Sequence, residues 1–225
     1  GNYKPVALQF RSAASSFGNR HRRRPGAWRP DDWDVQCCQT VVKAGGEGDG
    51  NVNNDWLERI LSAYQLPEGL GFGQELAPVM YRADYRDGRW DEGGLTPYEP
   101  IAIDPAATIL HYAQQAFEGL KAYRVSQPEP QLFRPELNFL RLLRSSARMC
   151  MPELPAGLFA EALSQLTVSL ADFIPGGSGQ SLYLRPFVMG TGPCLAVKSS
   201  DAFTFLLIAS PSDSYFSKPI RVLVE

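Results

Sequence analysis

Hydrophobic and polar residues alternate with the two-residue period of a β-strand in several stretches of the chain. The alternation is clear in residues 79–85 and 181–189, while residues 203–209 are almost wholly apolar. Alternation predicts strands with one buried face, and an apolar run predicts a strand buried on both faces. Residues 120–124 and 220–224 predict two further strands.

A three-to-four-residue spacing of apolar side chains predicts the helices. Residues 136–149 carry one such row, and residues 156–173 carry another that ends before Pro175-Gly176-Gly177. The first row consists of Leu137, Leu140, Leu143 and Ala147. Asp104-Pro105 favours a helix start and predicts a helix to about Phe117. Strands, then helices, then strands again indicate the α+β class, or an α/β class with a mixed sheet.

The composition is that of a folded protein preceded by a different kind of segment. The chain has 225 residues, 44% of them hydrophobic, which excludes a disordered, collagen-like or coiled-coil protein as a whole. Residues 44–54 are rich in Gly and Asn and predict a flexible linker. We therefore expect residues 1–54 to be a disordered leader with this linker, and the folded domain to begin at Asp55.

The charge distribution supports a separate leader. Residues 1–30 hold seven Lys and Arg and no acid, whereas the remaining chain has 15 basic against 24 acidic residues. A segment rich in Arg and Ser and free of acids is typical of a transit peptide for the mitochondrion or plastid. A nucleic-acid-binding arm is the alternative, but the acidic remainder would repel phosphates, so we expect no nucleic-acid partner. A leader without a specific role is the remaining alternative.

Membrane and metal functions find little support in the sequence. No stretch reaches 18 consecutive apolar residues, so we expect no membrane-spanning helix. The four cysteines lack the two-residue spacing of zinc sites, and there are only two histidines. We expect reduced thiols and no structural metal.

Tyr183 and Arg185 share one face of a predicted strand, beside the loop Gly190-Thr191-Gly192. This face offers hydroxyl and guanidinium donors to an anion such as a carboxylate. The alternative is the exposed face of an edge strand. Arg141 on its helix is likewise either a solvated surface residue or a ligand of a phosphate.

The run from Leu110 to Arg124 resembles the signature of branched-chain amino acid aminotransferases, which are pyridoxal-phosphate enzymes of fold type IV. Three further motifs recur in that family in the same order: Leu132-Phe133-Arg134-Pro135-Glu136-Leu137-Asn138, Ser181-Leu182-Tyr183-Leu184-Arg185-Pro186-Phe187, and Ala209-Ser210-Pro211 followed by Tyr215-Phe216. The resemblance covers about residues 70–225. It implies that residues 55–217 are the small N-terminal domain of such an enzyme and that residues 218–225 begin a larger second domain.

The resemblance also implies roles for individual residues. Arg141 matches the arginine that binds the phosphate of pyridoxal 5′-phosphate. The residues that match the wall of the substrate pocket, some of them supplied across a homodimer interface, are Phe72, Tyr112, Phe117, Tyr183, Arg185, Val197 and Tyr215. The implied substrates are leucine, isoleucine and valine, whose amino group goes to 2-oxoglutarate.

The resemblance also implies that the lysine that forms the Schiff base lies beyond Glu225. We therefore assign no catalytic residue to these 225 residues and expect this part alone to be inactive. Two alternatives stay open: a non-catalytic small domain that serves as a binding or assembly module, and a fold-type IV relative acting on D-amino acids or aminodeoxychorismate. The Phe117-Glu118-Gly119-Leu120-Lys121 motif disfavours the second.

Overall fold

The fold is a single twisted sheet whose two longest helices pack on one face. The computed structural model describes residues 40–41, 55–124, 129–216 and 218–223. The strands are β1 (Thr40–Val41), β2 (Val79–Arg86), β3 (Arg89–Trp90), β4 (Gly94–Pro97), β5 (Gln115–Phe117), β6 (Leu120–Tyr123), β7 (Gln131–Leu132), β8 (Ser181–Gly190) and β9 (Phe203–Ser212). The helices are α1 (Asp55–Ala63), α2 (Thr108–Tyr112), α3 (Pro135–Arg148) and α4 (Ala156–Ser169), followed by a 3-10 turn, Ala171–Phe173.

The strands lie in the order β1-β7-β6-β8-β9-β2-β3, with β4 paired to β2 and β5 paired to β8. Every described strand pair is antiparallel. The α+β class is confirmed, and the sheet is antiparallel rather than mixed. Strands β8 and β9 pair along their whole length, from Ser181 with Ser212 to Gly190 with Phe203. They form the centre of the sheet, as their apolar pattern predicts.

The two faces of the sheet differ in what lies on them. The face covered by α3 and α4 holds the main core, in which Leu182, Leu184 and Val188 of β8 join Phe159 and Leu166 of α4. We call it the covered face. The opposite one, here the second face, carries a smaller cluster of Met80, Met189 and Leu206, against which Ile101, Ile103 and Ile109 pack.

Two predicted elements are wrong. The predicted helix over 104–117 is only the five-residue α2, because Ala113 adopts a left-handed conformation with φ of 50° and ends the helix. Residues 115–117 then pair with β8 as β5. No strand forms over 220–223, where Ile220, Val222 and Leu223 are exposed, while residue 224 lies outside the described residues.

Helix α3 has nearly the predicted bounds but a different buried row. The buried residues are Pro135, Asn138, Phe139, Leu142 and Ser146, whereas the predicted Leu137 is exposed. The rotation follows from Asn138, which turns inward because its side-chain amide donates hydrogen bonds to Glu118 and to the carbonyl of Gly119. Arg141 consequently lies at the border of the buried face.

The predicted leader falls almost entirely outside the described residues. Only Thr40 and Val41 are described within it, and they pair with β7. In the described part of the chain, no helix has the length and apolar character needed to span a bilayer.

Candidate functional site

Three aromatic rings meet on the second face of the sheet. The Phe72 ring centroid lies 4.9 Å from that of Tyr183 and 4.6 Å from that of Tyr215. Phe72 belongs to a turn that is tied to the end of β9, since the amide of Gly71 donates to the Asp213 carboxylate over 2.9 Å. The amide of Asp213 in turn donates to the carbonyl of Gly71 over 2.7 Å. Three sequence-distant pocket residues are therefore brought together.

Arg185 extends this cluster to Phe117. Its guanidinium donates from Nε and Nη2 to the Tyr183 hydroxyl, over 3.1 and 2.8 Å. The same group stacks over the Phe117 ring, 4.5 Å from its centroid. Strand β8 lies between β6 and β9, so the alternative of an edge strand is wrong. A cation held between two rings keeps its remaining donors available to a carboxylate.

Gly119 makes room for the Tyr183 ring. A Cβ at this position would overlap the Tyr183 hydroxyl and part of the ring. Gly119 separates β5 from β6, and both strands pair with β8. The close approach explains why a residue without a side chain stands between two sheet-forming strands.

Arg141 lies on the other side of β5 and β6, next to Glu118. Its Nε and Nη2 donate to the two carboxylate oxygens of Glu118 over 2.9 and 2.6 Å, and Asn138 donates to the same carboxylate over 3.0 Å. The Arg141 side chain is 55% exposed, whereas that of Glu118 is 9% exposed. These hydrogen bonds to Glu118 raise the pKa of the Arg141 guanidinium. One edge of the guanidinium is thus fixed, and the Nη1 edge stays open to a ligand.

Glu118 is a site residue that the sequence interpretation missed. Ala116, Glu118, Leu120 and Ala122 are all buried and follow one another at intervals of two. This alternation places the carboxylate on the covered face, opposite α3. An acid at a core-facing position of a strand requires a partner, and Arg141 on the facing helix supplies it. The period-two pattern across residues 116–122 is the sequence signal that predicts a buried Glu118 in need of a cationic partner.

Tyr112 and Val197 belong to a second part of the structure, the end of α2 and the loop between β8 and β9. The Tyr112 hydroxyl donates to the carbonyl of Leu195 over 2.5 Å, which joins the end of α2 to the loop between β8 and β9. Val197 in this loop is 90% exposed. The predicted pocket residues therefore form two groups, with Phe72, Phe117, Tyr183, Arg185 and Tyr215 in the first and Tyr112 with Val197 in the second.

The chemistry available in the first group is binding rather than bond breaking. An aromatic wall beside a fixed guanidinium suits a ligand with an apolar part and an anionic part. Lys121 lies on the same face, with Nζ 5.9 Å from the Phe72 ring centroid. Among the described residues, no group of three or more His, Cys, Asp or Glu side chains could hold a metal ion.

Curated relatives align with most of this chain. The branched-chain-amino-acid transaminase 1 of Bacillus subtilis (strain 168) is 45% identical over 181 residues, covering 76% of this chain and 51% of the relative. The branched-chain-amino-acid aminotransferase of Mycolicibacterium smegmatis is 45% identical over 157 residues, covering 68% of this chain and 43% of the relative. The chain thus spans about half the length of the curated relatives it matches. No protein-family model matches the sequence.

Solved structures give a looser likeness. The branched-chain aminotransferase of Thermoproteus uzoniensis with norvaline has a TM-score of 0.42 and 24% identity, covering 58% of this chain and 41% of that one. A fold IV transaminase from Curtobacterium pusillum has a TM-score of 0.44 and 16% identity, covering 60% and 43%. The resemblance inferred from the sequence motifs rests on the curated relatives and is confirmed by them: over its aligned residues this chain is homologous to branched-chain aminotransferases, of which it spans about half.

Proposed function

We propose that these residues form the small-domain part of a branched-chain amino acid aminotransferase. The whole protein would transfer the amino group of leucine, isoleucine or valine to 2-oxoglutarate with pyridoxal 5′-phosphate. The observation that carries this proposal is the aromatic wall of Phe72, Tyr183 and Tyr215 with Arg185 beside it. It combines the apolar surface that a branched side chain needs with a cation for a carboxylate.

Arg141 fits the cofactor phosphate. Nε and Nη2 of Arg141 are held by the Glu118 carboxylate, which also accepts from Asn138. Nη1 of Arg141 makes no hydrogen bond within the described part of the chain. An open guanidinium edge on a fixed side chain suits a phosphate dianion. Bound pyridoxal phosphate supplies a carbonyl that accepts the amino group and a ring that withdraws electrons from the substrate α-carbon.

The chain's own residues would bind and orient the reactants. The aromatic wall excludes water from the apolar side chain of the substrate, and Arg185 orients its carboxylate. We assign the imine-forming lysine to the rest of the whole protein. The three described lysines do not suit that role, since Lys121 lies against the Phe72 ring and both Lys198 and Lys218 are exposed.

A homodimer partner accounts for the second group of pocket residues. Leu195 and Val197 are 68% and 90% exposed, and Tyr112 is also exposed. Large apolar side chains gathered in one loop are typical of a surface that another subunit covers. We propose that this loop reaches the substrate pocket of the partner subunit. An organellar leader stays a prediction, and the curated relatives named above are bacterial.

The cofactor assignment is tested with Arg141→Met in the whole protein, with Arg144→Met on the same helix as the matched control. Charge-assisted hydrogen bonds contribute about 1.5–3 kcal/mol each, so we expect the dissociation constant of pyridoxal phosphate to rise about 10- to 100-fold for Arg141→Met only. Spectroscopic titration measures it. Equal constants for the two variants would contradict the assignment.

The reaction itself is tested by incubating the whole protein with 2-oxoglutarate and each branched-chain amino acid. Glutamate formation is expected with all three. The 225-residue chain alone, treated with pyridoxal phosphate and borohydride, should give no adduct at a single defined lysine. Turnover together with one defined adduct in this chain would overturn our assignment of the lysine.

A further inference from the structure

The loop that carries Val197 is fixed at both ends. We define the 193–200 loop as residues 193–200, which lie within the connection from β8 to β9. At its start, the amide of Cys194 donates to the carbonyl of Ala106 over 2.8 Å, and the Tyr112 hydroxyl donates to the carbonyl of Leu195. At its far end, Ser200 is buried although residues 195–199 are exposed. The fixed ends leave Val197 at the exposed tip.

The far end is held by the side chain of Gln114. Its Oε1 accepts a hydrogen bond from the amide of Ser200 over 3.0 Å, and its Nε2 donates to the Ser199 hydroxyl over 2.9 Å. Nε2 also donates to the carbonyl of Met149 over 2.9 Å. Gln114 is itself buried. One buried amide therefore connects the loop to the C-terminal end of α3.

Gln114 is held in place by backbone carbonyls at the end of α3. Carbonyls at the end of a helix lack hydrogen-bond donors within the helix, and here two side chains act as the donors. Gln114 donates to Met149, and the Ser199 hydroxyl donates to the carbonyl of Cys150 over 2.7 Å. The fit is tight, because a Cβ at Gly190 would come within 2.9 Å of Gln114 Oε1. The network thus joins the loop to the end of α3 through two hydrogen bonds to backbone carbonyls.

We infer that Gln114 is a positioning residue for the substrate wall, because it fixes the 193–200 loop, which carries Val197 at its tip and is bonded to Tyr112 at Leu195. This inference rests on the proposed function, in which this loop reaches the substrate pocket of the partner subunit. Gln114 is buried behind the loop, so it acts through the loop and not by contact with the substrate. A wall that contacts the apolar side chain acts equally on bound substrate and transition state, so its displacement should raise KM and leave kcat nearly unchanged.

The decisive experiment compares Gln114→Met with Gln115→Met in the whole protein. Both substitutions replace an amide with a side chain of similar shape, and Gln115 is the exposed neighbour. For Gln114→Met we expect KM for leucine and valine to rise about five- to tenfold with kcat within about twofold, and the amides of residues 195–200 to exchange faster with deuterium. Gln115→Met should match the unsubstituted protein in all three measurements.

The milder variant Ser199→Ala removes the hydrogen bonds of the Ser199 hydroxyl with Gln114 and with Cys150, and keeps those of Gln114 with Met149 and Ser200. We expect about a two- to threefold rise in KM with the same preserved kcat, and this variant decides the question if Gln114→Met does not fold. Unchanged KM in an active, folded variant, or a fall in kcat without a change in KM, would overturn the inference. An inactive unsubstituted protein would instead overturn the proposed function.

Discussion

Neighbouring residues of β8 lie in two different environments. Leu182, Leu184 and Val188 are completely buried on the covered face, whereas Tyr183 and Arg185 on the second face are only partly buried. Packing against α3 and α4 explains the three β8 side chains on the covered face. It explains neither the rings nor the guanidinium on the second face, which contact one another. Within β8, the difference separates residues that stabilise the fold from residues available for binding.

The largest effect is expected on the covered face, for Leu184→Ala. Truncating a fully buried leucine costs its transfer free energy and leaves a cavity, so the free energy of unfolding should fall by about 2–5 kcal/mol. Leu137→Ala, at an exposed position of α3, should cost less than about 1 kcal/mol. Urea denaturation of both variants measures the difference, and equal losses would refute the assignment of Leu184 to the packed core of the covered face.

The next largest effect is expected for Glu118→Gln. The neutral amide has one acceptor oxygen in place of two, so it cannot accept from both Nε and Nη2 of Arg141 and from Asn138 with the carboxylate geometry, and it carries no charge. Hydrogen bonds to charged groups contribute about 1.5–3 kcal/mol. Because Arg141 is half exposed, we expect a loss of about 1–3 kcal/mol in the free energy of unfolding. Glu99→Gln, at an exposed position, is the control.

A double-mutant cycle sharpens this test. In the Arg141→Met background, Glu118→Gln should no longer destabilise the protein to the same extent, because the pair is already broken. Additive losses in denaturation experiments would mean that Glu118 and Arg141 do not act together.

The sequence periodicity predicted the centre of the sheet well and the segment over 104–117 poorly. Strands β8 and β9 and helices α3 and α4 follow from local apolar patterns, which burial alone determines. The segment over 104–117 does not, because Ala113 ends α2 in a left-handed conformation and residues 115–117 pair with β8, some 70 residues away. Local patterns contain no information about such a partner.

The candidate site was predictable only where a motif named the residue. Motif matching predicted site roles for Arg141, Tyr183 and Arg185, whereas the spacing of the residues left each of them open to a surface role. Glu118 and Gln114 lay inside the matched run and were passed over, because their roles depend on contacts with α3 and the 193–200 loop. Those contacts are set by the tertiary structure.

Two tyrosines offer a matched comparison of the two faces. Tyr81 is fully buried on the covered face, and its hydroxyl donates to the carbonyl of Glu92 over 2.9 Å. Tyr81→Phe removes this hydrogen bond and should cost about 0.5–1.5 kcal/mol at neutral pH. Burial, followed by the charges of Glu161, Asp91 and Glu92, raises the pKa of Tyr81 to about 12.

This shift gives the variant a distinct pH profile. Since the phenol keeps its proton longer in the folded state than in the unfolded chain, its contribution to stability is complete below about pH 10 and is lost as pH rises through about 12. The unfolding free energy of Tyr81→Phe should therefore decline less between pH 10 and 12 than that of the unsubstituted protein. Denaturation at pH 8, 10 and 11 tests this, and parallel declines would contradict it.

The smallest effect on stability is expected for Tyr183→Phe on the second face. Among the described residues, the lost hydroxyl accepts hydrogen bonds only from Arg185. Arg185 is partly exposed and keeps its stacking over Phe117, so water can replace the missing partner. We expect a change in unfolding free energy of less than about 0.5 kcal/mol. Thermal denaturation beside Tyr81→Phe makes the comparison direct.

The effects of the two tyrosine substitutions on kcat/KM should have the opposite order to their effects on stability. If Tyr183 holds Arg185 toward the substrate carboxylate, its loss weakens a charge-assisted contact of about 1.5–3 kcal/mol, and kcat/KM for leucine, isoleucine and valine should fall about 10- to 100-fold. Tyr81→Phe should leave kcat/KM unchanged at neutral pH, because the covered face lies away from the rings. A Tyr183→Phe variant with unchanged kinetics and clear loss of stability would assign Tyr183 and Arg185 to the fold alone, and the distinction between the two faces would then fail.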